Sequence, residues 1–421
     1  MLIRSNARSD NSVIPFVDKP EHGLIWAGLR SSKGTALCDK LYEVVDSHSN
    51  TQGCTHGPDP APEGLDPQRS VEPLSTGDGG SISTANSIGC DGDGVTGKRV
   101  EVIYVYASDR ADRYDTYLAS FRQYASDMND IYLGSAQQTG GSRNLRFVTD
   151  ASCAPVINKV ILSTTGDDSF GNTVSELKNK GFNRNDRKYL VFADATVYCG
   201  IGSLYNDDSA AQNNSNNGGP SYSRVDSGCW GGNLAAHEIM HNLGGVQLSA
   251  PHSTGGYHCT DEYDRMCYAD AQGVTMNFVC SSSQESRLDC NKDDYYNTNP
   301  PAGSYLANHW NAANASYYRE TNGSTPPPPT DDATAPTVSI TSPLNDSTIT
   351  NRASIAANAT DNVGVVKIEL YIDGGLRASS KSNTISYNWN SRKASRGAHT
   401  ITVKAYDQAG NSGLSTITVY K

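Results

Sequence analysis

The sequence predicts an α+β domain, built as a mixed sheet backed by helices, followed by an all-β sandwich. Three observations predict it. Apolar runs with strand periodicity alternate with amphipathic stretches in the middle of the chain. A proline run, Pro326-Pro327-Pro328-Pro329, then interrupts every regular pattern. Beyond it cysteine disappears and short alternating strands of Val, Ile and Thr take over.

In chain order, residues 1–97 are polar and rich in Gly, Pro and Ser, and read as an extended lead-in or pro-like segment. Its run from Cys54 to Pro62 holds two residues that can cap a metal, Cys54 and His56; a disulfide for the first and a solvated loop for the second are the expectation. Asp91-Gly92-Asp93-Gly94 reads as a turn. A domain spanning 98–322 follows. Its predicted strands are Val100–Tyr106, Leu145–Val148, Val156–Leu162 and Tyr189–Ala193. Its predicted helices cover 111–133, where Tyr117, Phe121, Tyr124 and Met128 share a spacing, and Val174–Lys180. Residues 200–232, dense in Asn, Asp, Ser and Gly, are expected to be a surface loop. Leu306–Trp310 suggests a closing helix. The linker is 323–332, and 333–421 the sandwich, with strands near Pro336, Val365, His399 and Ser415 and with Trp389 in its core.

His237-Glu238-Ile239-Met240-His241 carries the chemistry. Residues four apart are neighbours on a helix, so His237 and His241 can grip one zinc ion, with Glu238 beside it to take a proton from water. The surrounding Leu234, Ala235, Ala236, Ile239, Met240 and Leu243 make the segment helical, and Gly244-Gly245 stops it. Four of the nine histidines, His237, His241, His252 and His258, crowd this region, just ahead of Cys259-Thr260-Asp261-Glu262-Tyr263-Asp264-Arg265-Met266-Cys267-Tyr268.

A zinc helix ending at glycine, a further histidine and a methionine turn together resemble the metzincins, a branch of the zincin peptidases. In astacin-like and serralysin-like members a tyrosine follows that methionine by two positions, as Tyr268 follows Met266. The strings HExxH, Ala250-Pro251-His252, His258 through Asp264 and Met266-Cys267-Tyr268 resemble more closely a group of secreted actinobacterial zinc peptidases, over about residues 36–318. The resemblance implies a zincin fold, Met266 as a floor beneath the metal, and a Tyr268 hydroxyl that stabilises an oxyanion. The chain departs from the pattern where the third ligand belongs: that position is Gln247, a poor zinc ligand. His252 is the first replacement, because Gly244-Gly245 lets the chain turn back and Pro251 stiffens the approach; His258 is the alternative. Asp261 and Asp264 are alternatives as ligands, as partners orienting a histidine, or as ligands of calcium, the second cation considered; Asp293-Asp294 also offers it oxygen atoms.

Composition narrows the class. A net charge of -11 excludes the basic footprint of a nucleic-acid binder. No apolar run is long enough to cross a bilayer. Ten cysteines without a CxxC pair imply disulfides in an oxidising compartment, hence a secreted protein, and Cys280 with Cys290 would close a short loop. The start, Met1-Leu2-Ile3-Arg4-Ser5, lacks the apolar core of a signal peptide, which leaves a different start or another export route. The expectation is a secreted zinc endopeptidase acting on protein or peptide. The Ig-like strings Ala335-Pro336-Thr337-Val338 and Ala405-Tyr406-Asp407 resemble bacterial modules that tether or bind surfaces, with a cell-surface or wall polymer as candidate partner. The alternative is a non-catalytic binding or adhesion protein on the same scaffold.

Overall fold

The computed structural model describes residues 24–32, 38–62, 64–74, 88–270, 273–319, 334–361, 365–380, 383–407 and 411–421. The predicted linker lies outside them. The chain divides into two compact units, 1–322 and 323–421. The first is mixed α+β, the second all β.

The first unit opens with β1 (Leu29–Ser31), β2 (Tyr42–Val45) and β3 (Thr51–Thr55), an antiparallel sheet whose last strand is tied back by Cys38–Cys54. The extended lead-in expected over 1–97 is corrected in this part: the segment forms strands, and Leu29, Tyr42, Val44, Val45 and Cys54 from them are buried. Next come β4 (Arg99–Ala107), α1 (Tyr114–Gln137), β5 (Asn144–Leu145), β6 (Ile157–Leu162), α2 (Phe170–Asn179), β7 (Arg187–Ala193), β8 (Gly200–Gly202), β9 (Ser221–Asp226), α3 (Gly232–Asn242), α4 (Tyr305–Asn308) and β10 (Tyr318–Arg319). The central sheet has the order β6-β4-β7-β9-β8, in which β8 alone runs antiparallel.

Side chains of β4 and β7 alternate between two cores, as strand periodicity demands. Val102, Tyr104, Leu190 and Phe192 face one layer, where α1 supplies Phe121, Tyr124 and Met128 and α3 supplies Leu234, Ile239 and Met240. Ile103, Val105 and Val191 face the other, where Phe170, Val174 and Leu177 of α2 meet Tyr42 and Val44 of β2. The segment expected to be a loop over 200–232 holds β8 and β9. Strand β9 escapes a hydrophobic reading because its buried polar groups are paired internally: Arg224 makes a two-pronged ion pair with Asp226.

Five disulfides, Cys38–Cys54, Cys90–Cys153, Cys199–Cys229, Cys259–Cys267 and Cys280–Cys290, account for all ten cysteines. Among the described residues no helix is long and apolar enough to cross a membrane.

The second unit pairs β11 (Thr337–Ser342), β13 (Ala353–Thr360) and β16 (Thr384–Trp389) in one sheet. The other has the order β12 (Ser347–Thr348), β18 (Ser412–Tyr420), β17 (Ala398–Asp407), β14 (Val365–Ile372) and β15 (Gly375–Ser380). Ile355, Ile368, Leu370, Ile401, Val403 and Trp389 fill the space between.

Candidate metal centre and active site

Helix α3 is buried along its length except at Asn233, and its closeness to the sheet depends on β8. A Cβ on Gly200 would lie 1.9 Å from the Glu238 Oε1, and one on Gly202 would lie 3.2 Å from the His241 Cβ. Only glycine lets this strand pass under the motif. The carboxyl end of α3 is held by Asn242, which donates to the carbonyls of Ser203 and Tyr222. The buried Lys188 ammonium donates to the Asn242 carbonyl at 2.7 Å and the Trp310 indole to that of Leu243, so the last turn is satisfied. Gly244 then takes a positive φ of 81°, ending the helix where the sequence places its stop.

His237 and His241 face each other from this helix with their Nε2 atoms 3.0 Å apart. His258 joins them: its ring is 5.4 Å from that of His237 and 5.0 Å from that of His241, centroid to centroid. His252, the first choice for third ligand, lies elsewhere, its Nδ1 facing Asp261, Asp293 and Asp294 at 3.5, 3.8 and 3.2 Å. The reason is conformational. Gly255 and Tyr257 both take positive φ, the Thr254 N–H closes onto the His258 carbonyl, and the resulting reversal aims His258 back at α3 while His252 stays outside.

Two further side chains enter from the N-terminal segment. Asp59 is buried with one oxygen 3.5 Å from the His237 Nε2 and 3.9 Å from the His241 Nε2, and the other 3.2 Å from the His258 Nε2. His56, expected in a solvated loop, is fully buried, its ring 4.0 Å from that of His241. No motif announced Asp59. Its signal was the dense run Thr55-His56-Gly57-Pro58-Asp59, a turn-forming string that carries a metal-capable pair. Tyr268 is half-buried and donates its hydroxyl to Asp59. Met266 is fully buried in the core, its N–H held by Asp264, while the disulfide between Cys259 and Cys267 ties both sides of the turn.

These residues fit a zinc ion. A tetrahedral centre with bonds of about 2.0–2.1 Å sets its ligand atoms about 3.3 Å apart, close to the 3.0 Å between the Nε2 atoms of His237 and His241 and the 3.5 and 3.2 Å from Asp59 to His237 and His258; the ligand atoms of His56, Asp59, His241 and His258 lie within 4.8 Å of one another, as do those of Asp59, His237 and Glu238. Outer partners orient the rings: the His237 Nδ1 is 2.8 Å from the Arg265 carbonyl and the His258 Nδ1 2.9 Å from the Asp270 carboxylate, which leaves each Nε2 turned inward. Burial opposes ionisation of Asp59, but the imidazoles of His56 and His237 outweigh it and hold its carboxyl well below the usual range. Burial and then the Asp59 carboxylate push Glu238 well above it. Burial, reinforced by His56 and His237, drives the His241 imidazole toward its neutral, metal-ready form. The His252 group with Asp261, Asp293 and Asp294 is a separate, oxygen-rich cluster.

Residues 336–403 match the family model of a bacterial Ig domain. No curated protein matches the chain. Among solved structures, wild-type OgpA from Akkermansia muciniphila is 12% identical over 77% of this chain and 94% of its own, with a TM-score of 0.26. An inactive OgpA complexed with an O-glycopeptide substrate is 11% identical, with a TM-score of 0.26. The fibronectin(III)-like modules of Clostridium thermocellum CbhA are 26% identical over 20% of this chain, with a TM-score of 0.18, and the chain spans 46% of that chain's length. TM-scores of this size establish no shared fold.

Proposed function

We propose that unit 1–322 is an exported zinc endopeptidase of zincin, metzincin-like type, holding its metal through His237, His241 and His258. The observation that carries this reading is the meeting of the His237, His241 and His258 imidazoles, with His56 against them, beside a buried Glu238 and directly under the edge strand β8. Zinc bound there would polarise a peptide carbonyl and acidify water. The remaining roles belong to the chain. Glu238, buried beside the histidines of its own helix, accepts the proton of the attacking water and delivers it to the leaving amine. Tyr268, beside His258 at a ring distance of 4.1 Å, offers its hydroxyl to the developing oxyanion. An extended peptide pairs along β8 through its backbone. Five disulfides support an oxidising, extracellular location, and the Ig-like unit serves as a tether toward a cell-surface or wall polymer. The cluster of His252, Asp261, Asp293 and Asp294 has the donor set of a hard cation such as calcium.

The alternative, a non-catalytic binding protein, draws support from Asp59 and His56: with His241 and His258 they make a closed set of three imidazoles and a carboxylate, of the kind structural zinc sites have. A structural site has no use for the Glu238 carboxylate, so the endopeptidase reading is preferred. Hydrolysis of an unbiased peptide library by the zinc-loaded chain tests it, with wild type and Asp59→Ala each compared with its Glu238→Ala counterpart. The expected loss with Glu238→Ala is about 10²–10⁴-fold with zinc content unchanged. Equal hydrolysis with and without Glu238 would sink the mechanism.

A further inference from the structure

We infer that a second divalent cation, of the hard class to which calcium belongs, sits among His252, Asp261, Asp293 and Asp294 and clamps the open end of the hairpin that carries His258, so that its presence governs how firmly the zinc is held. The inference rests on the reading of that cluster as cation donors and of His258 as a zinc ligand, and adds the link between the two sites.

Residues 252–261 form a short hairpin. Ser253 bridges Cys259 antiparallel, the Thr254 N–H donates to the His258 carbonyl at 2.8 Å, and the Thr260 N–H donates to the His252 carbonyl at 2.9 Å. His252 and Asp261 therefore stand at its open end, with His258 on the returning arm. The turn between the arms passes through positive φ at Gly255 and Tyr257, and a tyrosine persists in that region only where its surroundings over-determine it. Asp293 and Asp294 come from a second turn. Asp289 fixes that turn by accepting from the N–H groups of Asp293 at 3.0 Å and Tyr295 at 2.9 Å. The His252 N–H donates to the Asp294 Oδ1 at 2.8 Å, and the Asp294 Oδ2 faces the His252 Nδ1 at 3.2 Å.

One donor atom from each of the four residues lies within 4.8 Å of every other. Ligands placed about 2.3–2.6 Å from calcium stand at most about 5 Å apart, so one ion spans this group. Charge points the same way. Three carboxylates meet one imidazole, and among the described residues no lysine or arginine pairs with any of them. The adjacent Lys292 ammonium donates instead to the Leu288 and Asp289 carbonyls. Even a protonated His252 leaves the group with excess negative charge. Two buried carboxylate oxygens also have no hydrogen-bond donor: the Asp261 Oδ1, on a side chain only 2 % exposed, and the Asp293 Oδ1, which faces the His252 Nδ1 at 3.8 Å. Asp261 is held toward the cluster by the Asn291 side-chain amide, which donates to its Oδ2 at 2.8 Å. A cation supplies what these oxygens lack, and carboxylates select a hard one. Bound there, it ties both arms of the hairpin to the second turn. Without it, like charges at the open end repel, and His258, on the arm that ends at Asp261, is the zinc ligand that shifts.

The test uses the full zinc-loaded chain dialysed free of calcium. Calorimetric titration with calcium chloride should show about one calcium bound per chain. Release of zinc to excess pyridylazoresorcinol, which takes zinc in the presence of calcium, should be about tenfold slower with calcium than without. Asp293→Asn, at the most exposed of the four side chains, should weaken calcium binding and release zinc at the fast rate in both conditions. The wild-type comparison needs no variant and stands if this one is unstable. Failure of calcium to bind would overturn the site, leaving a protonated His252 as the counter-charge and the zinc assignment untouched. Calcium that binds without slowing zinc release would overturn the clamp. Peptide-library hydrolysis by the same samples is a separate readout: calcium binding and slowed zinc release with no hydrolysis would support the clamp while removing the endopeptidase.

Discussion

Between His252 and His258 the difference is one of six residues in sequence and of inside against outside in space. Proline ahead of His252 suggested a rigid approach to the metal, but the positive φ values at Gly255 and Tyr257 set the direction of the chain, and they bring His258 round. A tyrosine in that conformation is strained and gives no sign in the sequence. Zinc stoichiometry after exhaustive dialysis separates the two: His258→Ala should fall from about one zinc per chain toward zero, because a three-imidazole set loses a ligand. His252→Ala should retain the metal, and loss of zinc in that variant alone would reverse the assignment. His237 and His241 were legible because helix geometry fixes their relation locally. Asp59 was not, since a carboxylate 178 residues upstream of His237 reaches the site through sheet pairing alone.

Strand β8 is the element on which the site depends, and its sequence, Gly200-Ile201-Gly202, resembles a loop. The glycines are there because α3 crosses the strand too closely for side chains. Gly200→Ala should push Glu238 out of place, since the new Cβ would stand 1.9 Å from its Oε1. We expect a large fall in peptide hydrolysis and a lowered melting temperature, with zinc content retained because no ligand changes. An unaltered rate would show that Glu238 tolerates displacement. Elements dominated by apolar periodicity, β4, β6, β7, α1 and α2, were readable to within a few residues. Strand β9 was not, because its buried Arg224 and Asp226 satisfy each other and leave no hydrophobic alternation to read.

At the scale of the molecule, the two units are stabilised by different means. All five disulfides lie in the first, whereas the second relies on a sandwich core around Ile355, Leu370, Ile401 and Trp389. The second also holds a titrating group. His399 is buried, with Nε2 2.9 Å from the Ser395 carbonyl and Nδ1 2.7 Å from Asp373, so both ring nitrogens are donors and the charged form is favoured. The Ser395 carbonyl and then Asp373 raise its pKa. A raised folded-state value contributes stability that is complete below the unfolded value of about 6.5 and is lost as pH rises through the folded one. In calorimetry of the full chain, the wild-type advantage over His399→Gln in the transition of this unit should be larger at low pH than at high pH. A difference independent of pH would remove His399 as its source.

The sequence by itself determined the classes of element, the sandwich beyond the proline run, the disulfide-rich chemistry and the helix bearing His237, Glu238 and His241. Each of these is written in spacings of a few residues, over which backbone geometry leaves little choice. Tertiary structure alone decided that His258 and not His252 faces the helix, that glycines on β8 make room for Glu238, and that Asp59 joins the histidines. Those outcomes depend on chain reversals at positive φ and on pairing between segments more than a hundred residues apart, and neither is encoded in local periodicity.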